Sequence, residues 1–136
     1  MKIRVFIGTT KLGKSKGICA IGVNNGKDHL QLPTQVLEHN NIDEEYLIIS
    51  AILYFLKILK AEIKSSTEVC FYVRNEIISF VWNNEYLTDG FFASGTKHQD
   101  IWDEIIKTSN NSKIKVTIKS SDSPLVAMTK QEKKRI

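Results

Sequence analysis

With 136 residues and a mass of 15.5 kDa, the chain fits one domain, and a domain of this length buries about two thirds of the surface that its unfolded form would expose. Apolar residues make up 42% and charged residues 25%, which argues against intrinsic disorder. The formal charge of +4 permits a polyanionic partner without requiring one. The sequence predicts a single domain over residues 1–136, in which residues 120–136 form a loosely ordered basic tail.

The cysteines and the hydropathy of the chain indicate the cellular setting in which it is expected. Cys19 and Cys70 both lie in apolar, strand-like runs, where a free thiol acts as a small core residue. There is no Cys-x-x-Cys motif and no secretory leader pattern, so a reducing, cytoplasmic setting is expected. The longest apolar stretch, residues 47–59, is too short to span a bilayer, and no membrane contact is expected. No cofactor and no bound metal are predicted.

The first part of the sequence predicts three consecutive strands. Residues 2–7 have a strand-like pattern, and the small and β-branched residues 17–23 form a second strand. The Asn25-Gly26 pair suits a tight hairpin turn. Residues 28–32 then form a return strand that ends before a proline. We therefore expect an antiparallel meander.

A long helix is predicted after the meander. Asn41 is expected to cap it, with Glu44 bonding back as in a capping box. Two apolar stripes follow at helical spacing, so the helix must be covered on more than one side or meet a partner. The stripes are Ile48, Ile52, Phe55, Leu59 and Ile63, and Tyr46, Ile49, Leu53 and Leu56.

The second half of the sequence predicts two further strands with helices before each. Residues 68–73 form the fourth strand, and the long helix before it favours a parallel crossover. Asn75 is expected to cap a short helix, residues 83–95 to form a loop, and Thr96 to cap a helix that ends at an Asn-Asn pair. Residues 113–119 alternate as a fifth strand whose exposed face carries lysines.

Residues 8–15, Gly-Thr-Thr-Lys-Leu-Gly-Lys-Ser, match the phosphate-binding P-loop pattern G-x-x-x-x-G-K-[ST]. A P-loop points the N-terminus of a helix at the phosphates, whereas glycines and a hairpin turn follow this motif. A Mg²⁺-binding Asp should also end a later strand, but the only candidate strand ends in Arg74. We favour a lysine-rich turn between antiparallel strands and keep nucleotide binding through residues 8–15 as an alternative.

The order of these elements resembles the ribonuclease H fold. Asn40-Asn41 followed by Glu45 is similar to the Asn-Asn-x-x-Glu-Leu start of that family's first helix, with one extra residue. Residues 68–71 resemble its fourth strand, residues 99–102 its later helix and residues 113–119 its final strand. The resemblance covers most of the chain. It implies an α/β fold with a mixed five-stranded sheet, three antiparallel strands and then two strands after helices, with the helices packed on the sheet.

The resemblance also implies which positions would form a nuclease site. Members of the family cut the RNA of a hybrid with two metal ions held by carboxylates. The first carboxylate falls at Gly8, or at Thr9 with a slip of one residue, and the one after the fourth strand falls at Arg74 or Asn75. The last falls near Gln131, with Glu132 adjacent, and the family's mobile His falls near Ser121. Glu45 alone keeps an acid, either as a remnant of the site or as an acid that stabilises a helix start. One carboxylate cannot hold two magnesium ions.

These patterns leave three functions open. The resemblance favours a catalytically degenerate domain that binds duplex or hybrid nucleic acid, with an affinity that falls as salt rises. The lysines can instead be a solvated face that discourages aggregation. One alternative is a protein-interaction module or a homodimer that uses the apolar first helix or the aromatic loop near Phe91. The other alternative is nucleotide binding. The predicted nucleic-acid contacts are Lys11, Lys14, Lys16, Arg74, Lys113, Lys115 and Lys119.

Overall fold

A computed structural model describes residues 2–26, 29–63, 65–92 and 95–121. The predicted basic tail, with the Gln131 position, lies outside the described residues. In chain order the elements are β1 (Lys2–Lys11), β2 (Lys16–Asn24), β3 (His29–Gln31), β4 (Gln35–Glu38), α1 (Glu44–Glu62), β5 (Thr67–Val73), α2 (Glu76–Phe80), a π-helical segment (Val81–Tyr86), α3 (Leu87–Asp89), α4 (Gln99–Asn111) and β6 (Ile114–Ser120).

The strands form one mixed sheet. β1 pairs with β2 antiparallel and with β5 parallel, and β6 pairs with β5 parallel. The strand order is β3-β2-β1-β5-β6, and β4 also pairs with β2. The predicted α/β fold is therefore confirmed, with a meander followed by two parallel strands that are reached through helices. The sheet differs from the prediction in one respect, since the third strand is divided in two.

The division of the third strand lies at Pro33. Gly22 of β2 pairs with Gln31, and Cys19 pairs with Gln35. Two residues lie between these pairs on β2 and three on the return strand, so the return strand carries one extra residue. Such an insertion is a β-bulge, which suits a proline because proline has no amide hydrogen to give to the ladder. The return strand thus continues past the proline into β4, where the prediction had it end.

The residue that caps α1 differs from the predicted one. Asn41 is left-handed, with φ of 54°, and the N-cap is Asp43. The Asp43 carboxylate accepts a 2.7 Å hydrogen bond from the amide of Tyr46. Glu44 and Glu45 occupy the first turn, where the helix dipole favours acids. Asn tolerates the left-handed region better than most residues, so Asn41 turns the chain before the helix and does not cap it.

The apolar stripes of α1 pack into the core, although Tyr46, Leu53 and Ile63 are only partly buried. α1 packs on β1 and β2 and against α4, and Phe55 meets Phe71 of β5 edge to face with ring centroids 5.9 Å apart. Gly17 permits the close approach to β2, because a Cβ there would lie 2.7 Å from Leu47 Cδ2. The buried side chains of α1 are Leu47, Ile48, Ile49, Ala51, Ile52, Phe55, Leu56 and Leu59.

Each strand presents alternate side chains to two faces of the sheet. Val5 and Ile7 of β1 belong to the core under the helices, as does Phe71 of β5. Phe6 lies on the opposite face, where its ring stacks on Tyr72 with centroids 4.9 Å apart and an interplanar angle of 15°. We call the face of β1, β5 and β6 that carries this ring pair the far face.

The region after β5 is more helical than predicted. Asn75 caps α2 as expected, since its side-chain oxygen accepts a 3.0 Å hydrogen bond from the amide of Ile78. The chain then continues through the π-helical segment into α3. The loop predicted over residues 83–95 therefore starts only at Gly90, whose φ of 82° ends the helix.

Side chains from this helical stretch cover the outer edge of β6. Trp82 Nε1 donates to the carbonyl of Val116 at 3.2 Å, and Asn83 Nδ2 donates to the carbonyl of Ile118 at 3.1 Å. Ser79 Oγ donates to the carbonyl of Ile118 at 3.4 Å. Unpaired carbonyls on an edge strand would favour pairing with another chain. These bonds satisfy part of the edge and fix the helical stretch against it.

Aromatic side chains join the same stretch to α4. Trp82 stacks on Trp102 with ring centroids 5.9 Å apart and also contacts Tyr86. Phe92 lies 5.4 Å from Tyr86 and 5.5 Å from Trp102. Trp82, Phe92 and Trp102 are buried and close the core here, whereas Phe91 is 67% exposed.

The start of α4 also differs from the prediction. The hydroxyl of Thr96 donates to Glu85 Oε1 at 3.4 Å and does not cap the helix. The residue before α4 is His98, with φ of 57°. Within the described residues, no helix is both long and apolar enough to cross a membrane. β6 then alternates as predicted, with its buried side chains at Ile114, Val116 and Ile118.

Candidate nucleic-acid interface

The carboxyl ends of β1 and β5 lie side by side. Phe6 and Tyr72 form the last pair between these strands, and Gly8 and Arg74 each follow two residues later in the chain. Gly8 is buried and also pairs with Ala20 of β2, whereas Arg74 is exposed. Ligands of open α/β sheets bind at the carboxyl ends of strands. This edge therefore presents a glycine and a cation at the two positions where the resemblance implies carboxylates.

The edge continues onto β6. The amide of Ser121 donates to the carbonyl of Val73 at 2.9 Å, which extends the pairing of the two strands by one residue. Ser121, the position near which the resemblance implies a mobile His, thus lies at the same edge as Arg74. Asn75 does not face this edge as a carboxylate would, because its side-chain oxygen is bonded to the first turn of α2.

Glu45 lies in the first turn of α1. Its half-buried side chain lines a cavity of about 120 Å³ between the start of α1, α2 and the segment before α4. Glu85 and Lys97 line the same cavity, so Glu45 shares it with another acid and a lysine. The other described lining residues are Ile77, Ile78, Val81, Thr96 and Trp102.

The described donors do not fit a pair of divalent cations. Two-metal hydrolysis needs several carboxylates that bridge and flank the ions. Over residues 2–26, 29–63, 65–92 and 95–121, no group of three or more His, Cys, Asp or Glu side chains converges in a way that could hold a metal ion. Among the residues described at the carboxyl edge, Arg74 carries a guanidinium, which repels a cation.

The segment Lys11–Lys16 is a hairpin turn, which excludes the P-loop alternative. The amide of Leu12 donates to the carbonyl of Lys16 at 2.8 Å, and β2 starts at Lys16. A P-loop requires a helix N-terminus at this point, and the chain has a strand there. Lys11, Lys14 and Lys16 are all exposed on this turn. We call these three residues the hairpin lysines.

The loop before α1 holds the hairpin in place. The amide of His39 donates to the carbonyl of Ser15 at 3.0 Å, and the amide of Ile42 donates to the carbonyl of Lys14 at 2.7 Å. His39 stacks on Tyr46 with ring centroids 4.3 Å apart. The backbone of the hairpin is thus bonded to a loop that is itself packed on the first turn of α1.

A cluster that the sequence did not predict joins the starts of α1 and α4. His98 Nε2 lies 3.1 Å from both carboxylate oxygens of Asp43, and Lys97 Nζ lies 3.7 Å from one of them. An ionised carboxylate only accepts hydrogen bonds, so Nε2 is the donor. The ring of His98 also meets Tyr46 edge to face, with centroids 5.5 Å apart. Residues 55 positions apart meet here, so no sequence spacing could reveal the pair.

The pKa of Asp43 is lower than its ordinary value of 3.8. Partial burial raises this pKa, but three favourable interactions outweigh burial. They are the hydrogen bond from the amide of Tyr46, the hydrogen bond and charge of His98, and the charge of Lys97. The carboxylate therefore stays ionised at neutral pH, both as the cap of α1 and as the partner of His98.

A second set of cations lies on the far face. Lys2 pairs with Glu68, which pairs with Lys115, so the three residues stand in one row across the sheet. Two residues further on, Arg4 is in the row of Thr117. Lys119 is in the row of Phe6 and Tyr72. Of the predicted contacts, Lys115 and Lys119 are therefore on the far face. Lys2 and Arg4 lie on the same face and were not predicted from the sequence. Lys113 is left-handed, with φ of 55°, in the turn before β6.

The two sets of cations are well separated. Lys2 and Lys11 are the ends of the same strand, and nine steps of about 3.3 Å put them about 30 Å apart. The hairpin lysines therefore extend beyond the carboxyl edge near Gly8, while Lys2 and Lys115 lie toward the amino ends of the strands. The structure therefore divides the predicted lysine contacts between the hairpin turn and the far face, where Lys115 lies toward the amino ends of the strands and Lys119 toward their carboxyl ends.

No family model and no curated protein matches this sequence. Solved structures do match in fold. LC11-RNase H1 in complex with an RNA/DNA hybrid has a TM-score of 0.66 at 10% identity, over 95% of this chain and 91% of that one. The N-terminal RNase H domain of Rv2228c from Mycobacterium tuberculosis has a TM-score of 0.67 at 7% identity, over 96% and 95%. The PFV RNase H domain has a TM-score of 0.59 at 14% identity, over 96% and 89%.

These similarities define the class of fold. The mixed sheet, the long helix on β1 and β2 and the later helices match ribonuclease H domains over nearly the whole chain. The chain therefore has a ribonuclease H-like fold, as the resemblance in sequence implied. At 7–14% identity the likeness concerns the fold, and the function has to be argued from the side chains.

Proposed function

We propose that the chain is a ribonuclease H-like domain that binds duplex or hybrid nucleic acid and does not cut it by two-metal chemistry. The observation that carries the proposal is the carboxyl edge of the sheet, where Gly8 and Arg74 each lie two residues beyond the last pair of β1 with β5. A glycine removes a metal ligand, and an exposed arginine favours a phosphate over a cation.

The position of the hairpin lysines supports the same function. Lys11, Lys14 and Lys16 extend from the end of β1, on the turn next to the strand that carries Gly8. Arg74 adds a cation from the neighbouring strand. A protein of the same fold, LC11-RNase H1, has been solved with an RNA/DNA hybrid. A hybrid or duplex held at the corresponding edge of this chain would place its phosphates against these side chains, mainly through charge.

The test is a salt titration of binding to a fluorescein-labelled RNA/DNA hybrid, followed by anisotropy. The triple variant Lys11→Glu/Lys14→Glu/Lys16→Glu should bind more weakly. It should also lower the slope of log K against log salt by about 3, at about 0.9 per lost phosphate contact. The matched control is Lys57→Glu/Lys60→Glu/Lys107→Glu, which reverses three exposed lysines on α1 and α4 and should leave the slope near that of the unchanged chain.

Two results would contradict the proposal. One is no binding of the hybrid even at low ionic strength. The other is an equal loss of affinity in the hairpin variant and in the control, which would mean that net charge, and not this surface, determines binding.

A protein-binding role is the second candidate, and one observation favours it. Phe91 is 67% exposed beside α3, and Phe80 of α2 and Leu87 of α3 are exposed as well. Most residues of the apolar stripes of α1, by contrast, are buried in the core, where α1 packs on the sheet and α4. Light scattering of the unchanged chain and of Phe91→Ser separates the cases, because a dimer that depends on Phe91 should dissociate in the variant.

A further inference from the structure

The far face carries a groove between β1, β5 and β6. A depression of about 190 Å³ lies there, lined by Arg4, Lys119 and Tyr72 among others. A larger depression of about 630 Å³ at the amino ends of the strands is also lined by Lys2 and Glu68, which line the first as well. The two depressions therefore adjoin and form one tract along β5 and β6. We call this tract the far-face groove.

The charge of the far-face groove is strongly one-sided. Among the described lining residues, Glu68 is the only acid, against five basic side chains. β6 runs along the groove, and its residues 115 and 119, four steps apart, lie about 13 Å from each other. Cations repeated along a strand at this spacing suit a polymer with regularly repeated negative charge. The basic residues are Lys2, Arg4, Lys113, Lys115 and Lys119.

Tyr72 gives the groove a feature beyond charge. One face of its ring is stacked on Phe6, which holds the ring in place, and the side chain is only half-buried. Burial raises the pKa of Tyr72 above its ordinary value, as does its hydrogen bond with Cys70. The phenol therefore stays neutral. A fixed aromatic ring among basic side chains is the arrangement by which proteins hold single-stranded nucleic acid, with a base stacked on the ring and the phosphates beside the cations.

The geometry favours a single strand over a duplex. The groove spans two strand spacings, about 10 Å, and its aromatic group lies in a depression between Arg4 and Lys119. A duplex keeps the faces of its bases stacked inside the helix, so it has no base face to offer this ring. A single strand has both free base faces and flexible phosphates.

We propose that the far-face groove is a second nucleic-acid site that binds a single strand, with Tyr72 as the base platform and Arg4 and Lys119 as phosphate contacts. This inference extends the proposed function and rests on it only in assuming that the chain binds nucleic acid. The groove lies on the far face, and the hairpin lysines lie on the turn after β1, with Lys11 five residues or about 17 Å along β1 from the row of Tyr72. The groove can therefore bind a single strand while the hairpin lysines hold a hybrid.

The test uses fluorescein-labelled oligo(dT) and oligo(rU) of about twelve nucleotides. Tyr72→Leu should weaken their binding about tenfold, since loss of a stacked base costs this much or more, while Tyr72→Phe should stay within about twofold. Arg4→Glu/Lys119→Glu should lower the salt slope by about 1.4, at about 0.7 per contact on a single strand. None of these variants should change affinity for the hybrid more than about twofold.

A crosslink in the unchanged chain tests the site without relying on the folding of a variant. An oligonucleotide that carries 5-iodouridine should crosslink to the peptide that contains Tyr72, and a saturating amount of hybrid should leave this crosslink in place. Crosslinks confined to the hairpin peptide would overturn the proposal, as would competition by the hybrid. Heparin that displaces the strand equally well from Tyr72→Leu and Tyr72→Phe would also overturn it, because binding would then depend on charge alone.

The outcomes distinguish the two proposals. If neither probe binds, nucleic-acid binding itself is wrong. If the hybrid binds and the single strand does not, the far-face groove is wrong and the hairpin site stands.

Discussion

The hairpin lysines and the far-face groove lie in different parts of the molecule and are built differently. The hairpin lysines are neighbours in sequence, on a turn whose backbone is bonded to the loop before α1. The cations of the groove come from separate strands and meet only through the register of the sheet. A shift of one residue would send Arg4 or Lys119 to the other face. A cluster of lysines on one turn can therefore be predicted from the sequence. A charged surface that forms through the pairing register of several strands cannot.

The largest effect is expected from filling the space at Gly17, which supports the hairpin region. Gly17→Ala places a Cβ 2.7 Å from the buried side chain of Leu47, and overpacking of this kind costs about 1–3 kcal/mol. Urea unfolding measures the loss. The control is Gly13→Ala on the same hairpin, where a Cβ meets nothing within 4 Å and the expected change is below about 0.5 kcal/mol. Equal stability of the two variants would contradict the close packing of α1 on β2.

The next effect concerns Asp43, which anchors the loop that holds the hairpin. Asp43→Ala removes the cap of α1 and the partner of His98, and loss of a cap alone costs about 1 kcal/mol. Asp43→Asn keeps a capping oxygen but removes the charge, so it should retain most of the stability. Thermal unfolding of both variants separates cap from ion pair. If Asp43→Asn were as destabilising as Asp43→Ala, the charge and not the cap would be the main contribution.

A smaller effect is expected at the edge of β6, which supports the far-face groove. Asn83→Ala removes one of the hydrogen bonds to the carbonyl of Ile118, at a cost of about 1 kcal/mol, while Ser79 still bonds to that carbonyl. The exposed neighbour Asn84 gives the control variant Asn84→Ala. Chemical denaturation should show a loss for the first variant only. Oligo(dT) affinity should fall more than hybrid affinity, because Lys119 follows Ile118 on the same strand.

The smallest effect is the pH dependence that Asp43 contributes. The pKa of Asp43 is lower in the folded chain than its ordinary value, so the unfolded chain binds the proton more tightly. The stabilisation is therefore complete above the ordinary pKa and is lost as pH falls through the lowered one. In urea melts, the advantage of the unchanged chain over Asp43→Asn should be constant near about pH 5 and shrink toward about pH 3. An advantage that grows on acidification would contradict the lowered pKa.

The elements that could be predicted are those with a local physical signature. The apolar stripes of α1, the alternation of β6 and the cap at Asn75 need only the period and chemistry of nearby residues. The division of the third strand at Pro33 could not be predicted, because a bulge depends on the count of residues on the partner strand.

The errors at helix starts have a related cause. Asn41 and Thr96 have the chemistry of caps, but Asn41 takes a left-handed conformation and Thr96 bonds to Glu85. Asp43 caps α1, and its partner His98 comes from a segment 55 residues away in the chain. The π-helical segment is likewise fixed by bonds from Trp82 and its neighbours to β6, which only the folded chain brings together.

The most direct test of the central claim is an assay of hybrid cleavage under conditions where the hybrid is bound. A labelled RNA/DNA hybrid is incubated with the chain and Mg²⁺ or Mn²⁺, with and without chelator, while anisotropy confirms binding. The carboxyl edge with Gly8 and Arg74 predicts a bound hybrid that stays intact in every lane. A ladder of RNA fragments that appears with the metal and disappears with chelator would contradict the account.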